Sequence, residues 1–256
     1  MSQYARVLYH GQEKYARIEG DEARFLSAPF LDPSFHVTGE TAPVENLQWL
    51  APVSPRTALA VGRNYRAHAQ ELGNSVPTEP LLFLKQPGTI TGHGADILYP
   101  QGYGRIDFEG ELVIVLGRPV NWLTPREAVG GSIFGYTVGN DVTARNLQKS
   151  DGQWTRAKGF DTFGPIGPVV ATDYDYRQFG IETRVDGVLK QEAEFADMVF
   201  DPEEIVFYAS RFMTLQPGDV IFSGTPEGVG PVEPGNIIEI SIRGLGKLRN
   251  TVKNRE

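Results

Sequence analysis

Between residues 5 and 26 the chain reads "ARVLYHGQEKYARIEGDEARFL", with apolar and polar positions close to alternation. The pattern breaks at His10-Gly11-Gln12 and again at Glu19-Gly20-Asp21. Alternation at a period of two marks half-buried strands, and Gly among polar residues marks tight turns. The stretch therefore predicts three short strands joined as hairpins. A Pro52 to Pro55 segment follows, and the pattern then changes to the unbroken apolar run "TALAVG", which predicts a buried strand. We divide the chain there, into a small N-terminal β domain over 1–52 and a larger domain over 53–256.

In the larger domain, "NYRAHAQELG" has helical character and stops at Gly73, and "EPLLFLKQPGTITG" reads as strand then loop. "DFEGELVIVLG" predicts one continuous strand. "TPREAVGG" predicts a short helix near Thr124, with Glu127 completing a capping box, and "SIFGYTVGND" a strand. "DVTARNLQKS" predicts a further short helix. "GPIGPVVATDY", "IETRVDGVLKQEAEF", "DVIFSGTP" and "NIIEISIRGLGKLRNTV" predict strands. "DPEEIVFYASRFMTL" is the clearest amphipathic helix, with Asp201 as N-cap and Pro202 at its first position. Strands outnumber helices, and no regular alternation of the two predicts a parallel sheet. The fold class is mixed, mostly β, with a few short helices.

Composition narrows the function. Among 256 residues there are 29 glycines and 18 prolines, which suits a turn-rich β fold. A net charge of −8 leaves no basic surplus for phosphates, so nucleic acid is not an expected partner. The absence of cysteine removes disulfides, thiolate nucleophiles and Cys-ligated zinc, and fits the cytoplasm. The opening "MSQYARVLYHG" has no apolar core of a signal peptide. No apolar run approaches the roughly 20 residues needed to span a bilayer, so no membrane is expected.

Five stretches carry candidate chemistry. In "RIDFEGELVIVLG" a strand would put Asp107, Glu109 and Glu111 on one face. Burying three acids costs several kcal/mol each without compensation, so the choice lies between a solvated face and a bound cation. Glu109 and Glu111 would sit ~7 Å apart at Cα, and without Cys their oxygens would suit a hard cation. In "GYTVGNDVTARNLQ", Asp141, Arg145 and Gln148 fall on one face if all lie on a helix. They read either as a metal ligand followed by substrate-binding polar groups, or as an N-cap with a solvated Arg. In "GRNYRAHAQELG", His68 and Glu71 share a helix face, as a general-base pair or a surface pair. Lys158 in "WTRAKGFDTFGPIGP", whose Gly, Pro and aromatic setting reads as a shaped loop, could balance an oxyanion or be an ordinary surface lysine. "SGTPEGVGP" permits close backbone approach to a ligand, with Thr225 as a donor, or is a plain turn.

Taken in order, "GRNYRAHAQELG", "LFLKQPGTITG", "DFEGELVIVLG", "GYTVGNDVTARNLQ", "WTRAKGFDTFGPIGP" and "SGTPEGVGP" resemble segments of the fumarylacetoacetate hydrolase family, over about residues 59 to 245. The likeness is to the bacterial branch of 2-hydroxyhepta-2,4-diene-1,7-dioate isomerases, oxaloacetate decarboxylases or tautomerases, and acylpyruvate hydrolases. The resemblance implies a β-sandwich-like roll behind the small N-terminal domain, and a homodimer. It implies Mg²⁺ or Mn²⁺ held by Glu109, Glu111 and Asp141, with Asp107 just outside the ligand set. It implies a water-activating dyad of His68 and Glu71. Arg145, Gln148, Lys158, Thr225 and Lys85 match substrate-facing positions, and Arg63, Asn64 and Tyr65 match the loop that shapes the pocket. The family often has Asp where this chain has Asn146. The function implied is metal-dependent chemistry on a 2-oxo (di)carboxylic acid through a stabilised enolate, ending in C–C hydrolysis, isomerisation or decarboxylation. The rivals are a Ca²⁺-dependent β-sandwich binding module and a glycosidase built on Glu109 and Glu111. The latter would want an aromatic-lined cleft, and the chain has three tryptophans.

Overall fold

The structure, a computed structural model, describes residues 1–255, and for Glu127 the backbone alone. The N-terminal hairpins form as their pattern requires. Strands Ser2–Tyr9, Gln12–Glu19 and Glu22–Leu26 pair antiparallel, Tyr9 facing Gln12 and Glu19 facing Glu22. His10 and Gly11 both have positive φ (49° and 75°), the backbone that a two-residue primed turn demands. These strands continue into the rest of the molecule. Ser2–Tyr9 pairs with Gly164–Thr172, so the hairpins form one wing of a mostly antiparallel 12-stranded sheet.

The sheet's centre runs through Gly164–Thr172, Ile133–Asn140, Gly110–Leu116, Val220–Phe222, Ala58–Gly62 and Leu81–Lys85. Every residue of Gly110–Leu116 is buried. Leu112, Ile114 and Leu116 share a core with Ile181, Ile238, Ile240 and Val252 of a five-stranded sheet. Val113 and Val115 pack on the opposite face with Phe30, Ile166 and Phe222. Burial on both faces explains the unbroken apolar run, each such side chain contributing roughly 1.5–3 kcal/mol. The fold is mostly β, as its composition and patterning imply. Among the described residues four short α-helices complete it: α1 (Arg66–Glu71), α2 (Arg145–Asp151), α3 (Thr155–Lys158) and α4 (Pro202–Ser210). In α4 the Asp201 side chain accepts Glu204 N–H at 2.7 Å, and Ile205, Val206 and Ala209 face the core. No helix among the described residues is long and apolar enough to cross a membrane.

Four local expectations are corrected. "DFEGELVIVLG" is two strands. Ile106–Phe108 pairs with Thr143–Ala144 and Gly230–Pro231 in a three-stranded sheet, whereas Gly110–Leu116 belongs to the large one. Glu109 is the break between them, its N–H taken by the Asn140 side chain at 2.9 Å. Asp141 is not on a helix, because Thr143 and Ala144 are engaged by that three-stranded sheet and α2 starts only at Arg145. The segment after Thr124 makes a 3₁₀ turn over Arg126–Val129, and the Glu127 half of the expected capping box lies outside the described side chains. Lys158 ends the one-turn helix α3 where a loop was expected, its N–H bonded to Trp154 C=O at 2.9 Å.

Candidate active site

The split between the two strands brings Glu109 out of the ladder and into a cavity of about 450 Å³. Glu111 follows as the second residue of its strand, and Asp141 arrives just past the end of Ile133–Asn140. One carboxylate oxygen from each of these three buried acids lies within 4.8 Å of the others. Glu109 C=O accepts Asp141 N–H at 2.9 Å, which ties the two loops together.

Cations are laid onto this cluster unevenly. Lys158 Nζ reaches Glu109 Oε2 at 2.6 Å and Asp141 Oδ2 at 2.5 Å. Lys85 Nζ reaches Asp141 Oδ1 and Lys158 C=O, both at 2.7 Å. Arg145 donates from Nη2 to Glu109, from Nε to Asp107 at 2.7 Å and from Nη1 to Gln148 at 2.9 Å. Glu111 accepts Gly224 N–H at 2.7 Å and makes no ion pair among the described residues. Asp107 is buried and held by Arg105 and Arg145, so it braces Arg145 and does not face solvent.

Titration follows this arrangement. Burial works against the Glu109 charge, but Arg145, Lys158 and His68 outweigh it and hold the carboxyl well below the usual range. Burial pushes the Glu111 carboxyl well up, and the charges of Asp141 and Glu109 push it further. Lys158 keeps its proton more firmly than usual, because two carboxylates overcome its burial. Lys85 shifts down, since burial and the neighbouring Lys158 charge count for more than its single carboxylate partner. A buried carboxyl with no cationic partner among the described residues, beside two that are paired to lysine or arginine, is a poor resting state for a protein interior. It is a suitable one for a cation-binding site, and an all-oxygen donor set fits a hard divalent ion. The residues therefore fit a metal.

Against this cluster stands the dyad. His68 Nδ1 lies 3.3 Å from Glu71 Oε2, and Glu71 Oε1 accepts Gly228 N–H at 3.1 Å. Both side chains line the cavity. Phe83 and Trp154, edge-on with centroids 5.0 Å apart, form its apolar wall with Val61. Arg63 stands at the wall in a left-handed conformation (φ 59°).

Residues 57–253 match the family model described as Fumarylacetoacetate (FAA) hydrolase C-terminal. The chain belongs to the fumarylacetoacetate hydrolase family. Residues 3–52 match the Rv2993c-like N-terminal family. Protein Rv2993c of Mycobacterium tuberculosis is 44% identical over 227 residues, covering 88% of this chain and 84% of that protein. Oxaloacetate tautomerase YisK of Bacillus subtilis is 37% identical over 215 residues, covering 78% of this chain and 71% of that protein. The crystal structure of 2-hydroxyhepta-2,4-diene-1,7-dioate isomerase from Mycobacterium marinum superposes with a TM-score of 0.91 at 39% identity, covering 100% of this chain and 99% of that one. The chain is thus an enzyme of the fumarylacetoacetate hydrolase family, with relatives named as an isomerase and a tautomerase. The binding-module alternative is not favoured.

Of the site residues expected in this fumarylacetoacetate hydrolase relative, all line the cavity except Asn64, Tyr65 and Lys85. Lys85 lies buried behind Asp141, its ammonium turned to that carboxylate and not to the cavity. Tyr65 is buried, with a hydroxyl that finds no partner among the described residues, and its backbone bridges to Met198. Asn64 ties the loop down, donating to Phe200 C=O at 2.9 Å and Ser223 C=O at 2.7 Å. Thr225 lines the cavity, but its hydroxyl proton goes to Gly110 C=O at 2.9 Å. Asn146 is exposed, and Arg145 takes its orientation from Asp107, Glu109 and Gln148 instead. Sequence reasoning missed Asn140, Gln191 and Lys149. Asn140 sits beside Asp141 in a quoted motif. Lys149 follows Gln148 on α2 and lines the cavity. Gln191 had no local signal at all.

Proposed function

We propose that this protein is a divalent-metal-dependent enzyme acting on 2-oxo (di)carboxylic acids through an enolate, with isomerase or tautomerase chemistry, C–C hydrolysis and decarboxylation as the outcomes to distinguish. The observation that carries the reading is the meeting, in one cavity, of three buried carboxylates and the His68–Glu71 dyad. Glu109, Glu111 and Asp141 would hold Mg²⁺ or Mn²⁺, which supplies Lewis acidity toward the oxygens of a 2-oxo acid.

The chain's own groups supply the rest. Lys158 is a buried, firmly charged donor placed to balance negative charge as it develops. Gln148 spends its carbonyl oxygen on Arg145, which leaves its amide N–H groups for the substrate. Arg145 has all three guanidinium nitrogens engaged within the protein, so its role is to hold Glu109 and Gln148 in place. Arg63 and Lys149 line the cavity without an ion pair among the described residues, and are the cations left for a distal carboxylate. Glu71 fixes His68 through Nδ1, leaving Nε2 to take a proton from water or from the substrate carbon. Phe83 and Trp154 keep water from the apolar stretch of the substrate.

Proton NMR on metal-stripped protein, and again with Mg²⁺ restored, tests the reading with oxaloacetate, acetylpyruvate and a hydroxyheptadienedioate. The relative named as an oxaloacetate tautomerase makes oxaloacetate the first of these. Pyruvate with an acid marks hydrolysis, pyruvate with CO₂ marks decarboxylation, and a rearranged signal marks isomerisation. Turnover that is the same in stripped and restored protein refutes metal dependence.

A further inference from the structure

The two carboxylates Glu109 and Glu111 flank Gly110, and the backbone polar groups at this break are held from outside the strand. Gly110 N–H donates to Gln191 Oε1 at 3.0 Å, and Gly110 C=O accepts the Thr225 hydroxyl at 2.9 Å. Gln191 Nε2 in turn donates to Thr225 Oγ1 at 2.7 Å and to Pro226 C=O at 2.9 Å. Gln191 is buried on strand Val188–Glu194, at the edge of the five-stranded sheet and 81 residues from Gly110. One amide thus joins three chain segments: the carboxylate-bearing break, loop 224–228 and the outer hairpin.

That loop reaches both halves of the site. Gly224 N–H bonds the Glu111 carboxylate, and Gly228 N–H bonds the Glu71 carboxylate. Gly228 has φ +92°, and a Cβ there would collide with Lys190 C=O, so the loop lies directly against the strand that carries Gln191. A Cβ on Gly110 would likewise run into Thr183 Oγ1, beside Gln191 Oε1. Neither loop can slide along the strand without losing the amide's bonds.

We propose that Gln191 is a positioning residue, which locks loop 224–228 to the Glu109–Gly110–Glu111 break. It thereby sets the Glu111 carboxylate, through Gly224 N–H, and the Glu71 carboxylate, through Gly228 N–H. The inference rests on the metal-site reading of the three acids. Groups that orient metal ligands without touching the ion are worth about 10–100-fold in metal affinity.

The test is titration calorimetry with Mn²⁺ on the full chain. Gln191→Met keeps the side-chain volume and removes every hydrogen bond. Its Mn²⁺ dissociation constant is expected to rise about 10–100-fold. Val252→Ala, a core truncation in the same sheet, three strands from Gln191, should lower the melting temperature and leave Mn²⁺ affinity at the wild-type value. If Gln191→Met does not fold, Gln191→Asn is read the same way, since it adds no charge beside Glu109 and Glu111 and is one methylene too short to bridge Gly110 to Thr225 and Pro226. Wild-type Mn²⁺ affinity in the Gln191 variant overturns the positioning role alone, and so does an equal loss in Val252→Ala. A wild-type protein that binds no divalent ion overturns this inference together with the metal-site reading.

Discussion

Lys158 holds its ammonium 2.5 Å from the Asp141 carboxylate, across 17 residues of chain and at the end of a different element. The same nitrogen reaches Glu109, so one lysine bridges two of the three clustered acids. A positive charge is already required where the proposed cation would act, and the lysine meets part of that need.

Removing that charge should be costly. Lys158→Met leaves two buried carboxylates without it, and deleting one partner of a buried pair costs about 3–5 kcal/mol. The metal-free variant is expected to melt well below the metal-free wild type, and Mg²⁺ should restore more of the loss than it adds to wild type. Thermal melts with and without Mg²⁺ measure this. Equal metal-free melting temperatures would show that the bridge contributes nothing to the fold.

Metal affinity should depend on pH through Glu111. Burial, Asp141 and Glu109 raise its folded carboxyl above the usual 4.5. A raised carboxyl favours the metal-free fold at low pH, and that contribution is lost as pH rises through the raised folded value. Metal needs the ionised form, so affinity should climb over the same window, with about one proton released. Glu109 is depressed and stays ionised there, its contribution being lost only in stronger acid, as pH falls through its lowered value. Calorimetry in two buffers of different ionisation enthalpy counts the proton. A Glu111→Gln variant that retains the pH step assigns the step to another group.

Asp141→Ala should remove metal and turnover together. It deletes one donor, leaves the Lys85 ammonium without its carboxylate and takes one of two carboxylates from Lys158. Metal content by elemental analysis, read beside activity, checks it, and full activity after exhaustive chelation would end the metal-dependent reading.

His68→Gln should behave differently. The dyad touches no clustered carboxylate through its hydrogen bonds, so metal binding is expected to survive. Hydrolysis or decarboxylation should fall about 10²–10⁴-fold, the usual contribution of a general base. If Mn²⁺ affinity falls as far as turnover does, the division of labour between dyad and carboxylates is mistaken.

Much of this was legible from short-range pattern. The hairpin turns at His10-Gly11 and Gly20-Asp21, the doubly buried strand at 110–116 and the capped helix at 202–210 each depend on neighbours a few residues away. The acids, the histidine and Lys158 stood out because their types are rare in such apolar or Gly-rich surroundings. Local pattern misread the context of several. Asp107, Glu109 and Glu111 do alternate, yet they do not share one strand, because residues 106–108 find partners at 143–144 and 230–231. Arg145 looked free to bind a substrate carboxylate until Asp107 and Glu109 closed on it.

The sequence by itself determined which side chains were available: oxygen donors without thiolates, the His68–Glu71 pair in a helical stretch, and a core rich enough in strands to carry them. Tertiary structure decided how they are used. It broke the acid strand at Glu109, turned Lys85 to the back of Asp141, left Glu111 without an ion pair among the described residues and brought Gln191 to Gly110 from 81 residues away. Hydrogen bonds and ion pairs at such separations depend on which strands meet, and that is settled by the packing of whole sheets, not by the periodicity of any one segment.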